Sequence, residues 1–261
     1  MIVPDTQIFA AGDVQTGSDY NGSFTDLGNF ILAKNVYFGI SRTNQTVDNA
    51  ATTGILFPVT LVDRDNGHSS APLNAKITSA TYISNSVAEF TTLEPHGYVA
   101  YDTVTTSGFS DATYNLASVN VLSVPSSTKF RAYKSTNVFT NPWSGTAGTS
   151  VVVPDNRYTI KTAGWYYVFG STTWDTNVTG TRTLNFSVNG ATSTTTQVSN
   201  TYALAALTGN GWLQSLNPQL YYFNVGDVIQ MVAFQTVGVL STVYYTANDI
   251  VPCFGLIWVS N

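Results

Sequence analysis

Residues 158–169 read YTIKTAGWYYVF. Aromatic and β-branched side chains of this kind suit a pleated, half-buried surface, and Ala163-Gly164 punctuates them as a tight turn. The stretch predicts a buried strand introduced by that turn. Working outward, the chain downstream keeps the same texture and loses its charge: after Arg182 there is no Lys or Arg, and Asp227 and Asp249 are the only acids. It closes on FGLIWVSN, residues 254–261. Successive strand side chains point to opposite faces, so Phe254, Leu256, Ile257, Trp258 and Val259 put apolar groups on both. A strand buried on one face alternates, so the second face predicts a cover. The expectation is a subunit interface formed by these five residues, since interface cores are depleted of charge and enriched in aromatics. The alternative is a strand central to the monomer's own sandwich and covered by loops.

Composition narrows the class. Charged residues make up 10% of the 261, against roughly 25% in ordinary soluble domains. Hydrophobic residues at 43% and aromatics at 13% exclude a chain too polar to fold. The fold class expected is all-β. Net charge is −5 and the ten basic residues are scattered singly, which argues against nucleic acid as a partner and against an anionic lipid surface. Cys253 is the single cysteine, so no intrachain disulfide forms. The opening MIVPD lacks the basic and apolar segments of a secretion signal. Residues 228–248 carry no charge, but Gln230, Gln235, Thr236, Ser241 and Thr242 interrupt them, which predicts strands and no membrane-crossing helix.

In chain order, four regions are expected. Residues 1–72 hold strand candidates at 6–10, 30–40 and 54–62 between Gly, Asn and Ser punctuation. They are open to three readings: a free-standing β unit, an arm docking on another protein, or the opening strands of a sandwich completed later. Docking is the expectation. Residues 73–137 carry five short strand patterns, at 76–83, 87–92, 102–106, 116–124 and 129–133, separated by turns at the spacing of a small barrel or sandwich. Residues 138–156, rich in Gly, Pro and Ser, read as a linker. Residues 157–261 read as strands at 157–160, 164–174, 181–188, 191–198, 219–223, 228–235, 242–245 and 254–259. Asn189-Gly190 is the strongest hairpin signal, because both residues tolerate positive φ.

Two resemblances attach to these patterns. Thr91-Thr92, Pro95-His96-Gly97, Asp102, Gly108, Tyr114-Asn115 and the run SVPSSTKF at 123–130 resemble a small β module of bacteriophage tail and other virion proteins. Tyr101 stands where that module has Gly. In the last region, AGWYYV at 163–168, FSVNG at 186–190, VGDVI at 225–229 and FGLI at 254–257 resemble, in order and spacing, the jelly roll of tumour necrosis factor and the complement globular heads. That resemblance implies a homotrimer; together the two imply a virion surface protein whose N-terminal region joins the major capsid protein or another virion protein. Capsid decoration or a head spike is expected. A tail-fibre or tail-tip protein binding a host surface glycan is the alternative.

The sequence announces no catalytic chemistry. The two glutamates, Glu89 and Glu94, stand an odd number apart, on opposite sides of a simple strand, so no glycosidase pair is announced. Phosphate loops, nucleophile elbows and metal-ligand spacings are absent, so neither enzyme activity, cofactor nor metal is expected. Asp63-Arg-Asp65-Asn-Gly67 resembles half a calcium loop, but no Glu closes it and an Asx turn is the simpler reading. His96, between Pro and Gly, reads as a loop-holding residue. Exposed Trp beside Asn and Asp would suit a sugar, which makes Trp174, Asp175, Asn177 and Trp212 the candidate ligand residues. Asp227 and Asp249 could share calcium on a threefold axis, although Asp in a Gly-Asp turn is usually a cap.

Overall fold

The computed structural model describes residues 36–69, 71–134, 139, 146–175, 180–191, 212–238, 241–243 and 251–260. Four strands precede an inserted barrel: β1 (Val36–Ile40), β2 (Gln45–Val47), β3 (Thr53–Gly54) and β4 (Val59–Asp63). The barrel holds β5 (Leu73–Ser84), β6 (Val87–Thr92), β7 (Thr103–Ser107), β8 (Val119–Ser126), β9 (Lys129–Tyr133) and β10 (Thr149–Val152). Seven strands follow: β11 (Arg157–Thr159), β12 (Gly164–Trp174), β13 (Arg182–Val188), β14 (Trp212–Phe223), β15 (Val228–Gln235), β16 (Ser241–Val243) and β17 (Cys253–Ser260).

The first and last groups build one jelly-roll sandwich. One sheet runs β14-β12-β17-β1-β4, with β16 and β2 extending it beyond the end of β17. The facing sheet runs β11-β15-β13, with β3 also on β15. Each sheet thus mixes strands from both ends of the sequence. Tyr37, Val47, Ile55 and Phe57 from the first group share one core with Tyr166, Val168, Phe186, Phe254 and Leu256 from the last.

This revises the expected boundaries. Residues 36–63 are the opening strands of the sandwich and not a separate docking region; residues 1–35 lie outside those described. The cause is long-range pairing: Val36 opposes Ile257 and Phe38 opposes Gly255, a register no local pattern announces. The supposed linker also changes character. Within it β10 pairs with both β5 and β7 and closes the barrel, and Phe139 is buried in the barrel core beside Tyr114. Val152 opposes Leu73, so the barrel leaves the sandwich close to where it enters.

The barrel's five anticipated strands are present with small shifts of their ends. Phe90, Phe130, Tyr114 and Phe109 fill its interior as contacting rings. In the sandwich, Asn189 and Gly190 both take positive φ, 55° and 67°, as the hairpin signal requires. Asn189 donates to Asp227 Oδ1 and accepts the Val228 amide. Of the strand expected at 191–198, residues 192–198 lie outside the described residues.

Gly164 has φ +146°, and a Cβ there would collide with the Ser260 carbonyl oxygen and the Trp258 indole. Gly164→Ala is therefore expected to lower stability by about 1–3 kcal/mol, read as a fall in thermal midpoint. An unchanged midpoint would show that the β12–β17 corner has room this packing denies.

Candidate self-association surface

The sandwich core lies on one side of the β14-β12-β17-β1 sheet; the opposite side has no protein cover within the described residues. Strand alternation decides what it shows. On β12, Tyr166 and Val168 point inward while Trp165, Tyr167 and Phe169 point outward. Register then carries the outward set across the sheet. Val36, Ile257, Tyr167 and Leu220 form one row, and Phe38, Gly255 and Phe169 the next. Trp165 lies beside Tyr222, their rings edge to face at 5.6 Å.

Gly255 is what brings the two phenylalanines together. A Cβ there would run into the Phe169 ring, and with only hydrogen in that place Phe38 and Phe169 stack across it at 6.1 Å. The result is a continuous apolar surface. Tyr167 is 46% exposed, Leu220 47% and Ile257 40%. The four strands β1, β12, β14 and β17 contain no charged residue.

The expected interface residues divide here. Ile257 and Val259 point outward and stay exposed. Phe254 and Leu256 do not belong to that face: both are 0% exposed in the monomer's own core. Trp258 shares their side, packed against the core with its indole N–H donated to the Ala163 carbonyl at 3.2 Å. Period-two alternation puts the two sets on opposite sides, and the core claims Phe254 and Leu256. Trp165, Tyr167, Phe169, Leu220, Tyr222 and Phe38 were missed. For the three on β12 the signal was legible, since they alternate with Tyr166 and Val168.

The expected sugar platform also changes. Trp174 is fully buried, its Nε1–H donated to Gln214 Oε1 at 2.8 Å and the Arg182 guanidinium 6.0 Å from its ring centre. No ring face is left for a ligand. Asp175 accepts from Arg182 at 3.1 Å and from the Thr242 amide at 2.7 Å, which fixes the end of β12. Trp212 opposes Trp174 in the ladder, and Asn177 lies outside the described residues.

The remaining polar candidates are structural. Asp63 accepts the Gly67 and His68 amides, the Asx turn expected of that loop, and Asp65 accepts the Tyr158 hydroxyl. Glu89 is held by Lys129 at 3.1 Å and Arg131 at 3.0 Å. Burial works against its charge, but those bonds prevail and keep its carboxyl below the usual range. Glu94 is exposed, so the two glutamates form no pair. His96 accepts the Tyr98 amide on Nδ1 at 2.9 Å and packs on Tyr98 and Phe130. Burial pushes its pKa down, leaving a neutral ring that holds the loop. Asp227 accepts from the Asn224 amide and Asn189, as a turn cap; Asp249 lies outside the described residues. Among the described residues no three His, Cys, Asp or Glu side chains are placed to hold a metal ion, and no helix is long and apolar enough to cross a membrane.

No protein-family model matches the chain, and no curated protein matches it. Among solved structures, it is similar to GITRL of the pika at 19% identity, covering 61% of this chain and 98% of that one, with a TM-score of 0.23. Murine APRIL is similar at 8% identity over 72% and 100% of the two chains, with a TM-score of 0.28. The structure of infectious bursal disease virus, Gx strain, is similar at 12% identity over 87% and 74%, with a TM-score of 0.20.

Proposed function

We propose that this chain is a non-enzymatic structural protein of a bacteriophage virion, assembled as a homotrimer that decorates or spikes the head. One observation carries the reading: the uncharged aromatic face of the β14-β12-β17-β1 sheet, since a contiguous exposed apolar face marks an interaction surface. A closed ring of identical copies covers such a face without leaving an open end. Pro218 lies within the edge strand β14, where a missing N–H disfavours strand-to-strand addition, so copies meet by faces. The barrel exterior differs in kind. Glu89 and Arg131 stand opposite each other in the β6–β9 ladder, Thr81 opposes Glu89, and Ser123 opposes Arg131. This polar surface suits display toward solvent. In this reading the residues before β1 join the particle, and the barrel's resemblance to a phage virion module supports that location.

Sedimentation equilibrium at micromolar concentration is expected to give three times the 28.1 kDa chain mass. A monomer would overturn the assembly reading. Antibody labelling of particles tests the location: label over the head supports decoration, and label confined to the tail replaces it with receptor binding.

A further inference from the structure

The seam between barrel and sandwich is polar, buried and specific. Its centre is Asp102, at 0% exposure in the barrel loop. Its Oδ2 accepts the Val99 amide at 2.9 Å and, across the seam, Arg157 of β11 at 3.2 Å. Arg157 also reaches the Gly97 carbonyl. Beside them Asn156 Nδ2 donates to the Tyr101 carbonyl at 2.6 Å, and Asn120 Nδ2 to Thr53 Oγ1 at 3.0 Å. Gly54 is pressed so closely on Asn156 and the Tyr101 carbonyl that a Cβ would not fit, and Gly190 abuts Ala100.

Tyr101 fits this picture. It stands where the resembled module has Gly, and it holds the left-handed conformation Gly normally supplies, with φ +69°. A bulky residue takes that conformation at a cost. Here its side chain is 2% exposed and belongs to neither module's core, so the seam is what it fills.

We propose that the barrel is a dockable module whose closed position on the sandwich is set by protonation of Asp102, the carboxyl that Arg157 holds across the seam. Asp102 Oδ1 is buried with no hydrogen-bond partner, so the ion is poorly solvated when the seam is closed. Burial pushes the carboxyl from an ordinary 3.8 up to about 6, outweighing the opposing pull of Arg157 and the Val99 amide. The groups facing it are Arg157 and, from its own loop, Tyr98, whose phenol its charge helps to push up. The other contributors to the seam, Thr53, Gly54, Asn120, Asn156 and Gly190, do not titrate.

The sign follows from linkage. The closed seam binds the proton more tightly than an open one with Asp102 in water. Closure is therefore strongest below about pH 4 and weakens as pH rises toward about 6.

The full chain tests this with Thr53→Cys in a Cys253→Ser background. Thr53 is 6% exposed at the seam, so labelling by a methanethiosulfonate, normalised to the unfolded chain at each pH, reports opening. The opening constant is expected to rise roughly thirtyfold between about pH 4.5 and 7.5, and to stay flat when Asp102→Asn is added. A flat wild-type profile, or a slope that survives Asp102→Asn, overturns the proposal. Should Asp102→Asn fail to fold, a carboxyl-carbon NMR titration of the unaltered chain decides. A midpoint near 6 supports the latch, and one in the ordinary carboxylate range overturns it.

Discussion

Tyr167→Glu is expected to turn the assembled protein into a folded monomer. Tyr167 is at the middle of the outward row, with Ile257 on one side and Leu220 on the other, and it is 46% exposed in the isolated chain. In the monomer a carboxylate there meets water, so the fold loses little; surface substitutions of this kind cost about 0.5 kcal/mol or less. In the proposed assembly the same group would be buried against an apolar partner without a cation to meet it. Losing an aromatic anchor costs about 2–4 kcal/mol and desolvating an unpaired charge adds several more. Each contact then weakens by on the order of a thousandfold or more, at about 1.4 kcal/mol per factor of ten. Sedimentation should give 28.1 kDa with an unchanged far-ultraviolet circular dichroism spectrum. An assembly that survives the substitution would show that this face is not the one it uses.

The parts legible in the sequence are those governed by local rules. Alternation and turn chemistry placed the barrel strands, the Asn189-Gly190 turn, the Gly226-Asp227 cap and β12 itself, because each depends on residues a few positions apart. Strand pairing across the chain is different. β1 belongs beside β17 because Tyr37 and Phe254 meet in the core, and nothing within 36–40 carries that information. The boundaries at 73 and 157 match the starts of β5 and β11, but residues 36–63 were assigned wrongly for the same reason: the barrel interrupts a sandwich whose two parts look unrelated until they pair.

At the candidate surface, the absence of charge was legible, and so was the parity of β12, but that of β17 was not. The string CFGLIWVS supplies apolar groups to both sides, and only the opposite sheet decides that Phe254 and Leu256 enter the core while Ile257 and Val259 remain outside. Trp174 shows the converse. A tryptophan beside Asp175 reads as a ligand platform until Gln214, distant in sequence, and Arg182 enclose it. Tyr101 is a third kind of case. Its departure from the Gly of the resembled module looks like a defect in a turn, and becomes intelligible only with the sandwich packed against it.

That division of parity makes neighbouring positions on β17 respond in opposite ways. Phe254→Ala is expected to destabilise the fold by about 3–5 kcal/mol. The ring is fully buried and packs against Tyr37 at 5.6 Å, Phe57 at 5.6 Å and Phe186 at 5.5 Å. Because Phe186 lies on the opposite sheet, truncation opens a cavity that neither sheet can fill alone. Against a total of about 5–15 kcal/mol for an ordinary domain, that loss is a large share. Ile257→Ala removes a side chain that water already reaches, so the monomer should change by about 0.5 kcal/mol or less while self-association weakens about tenfold. Assembly adds to apparent stability, so both substitutions are best compared by urea denaturation in the Tyr167→Glu background, where the fold is read alone. A deep loss at 254 with little change at 257 supports the division. Equal losses would mean that the outward face is part of the monomer's own core.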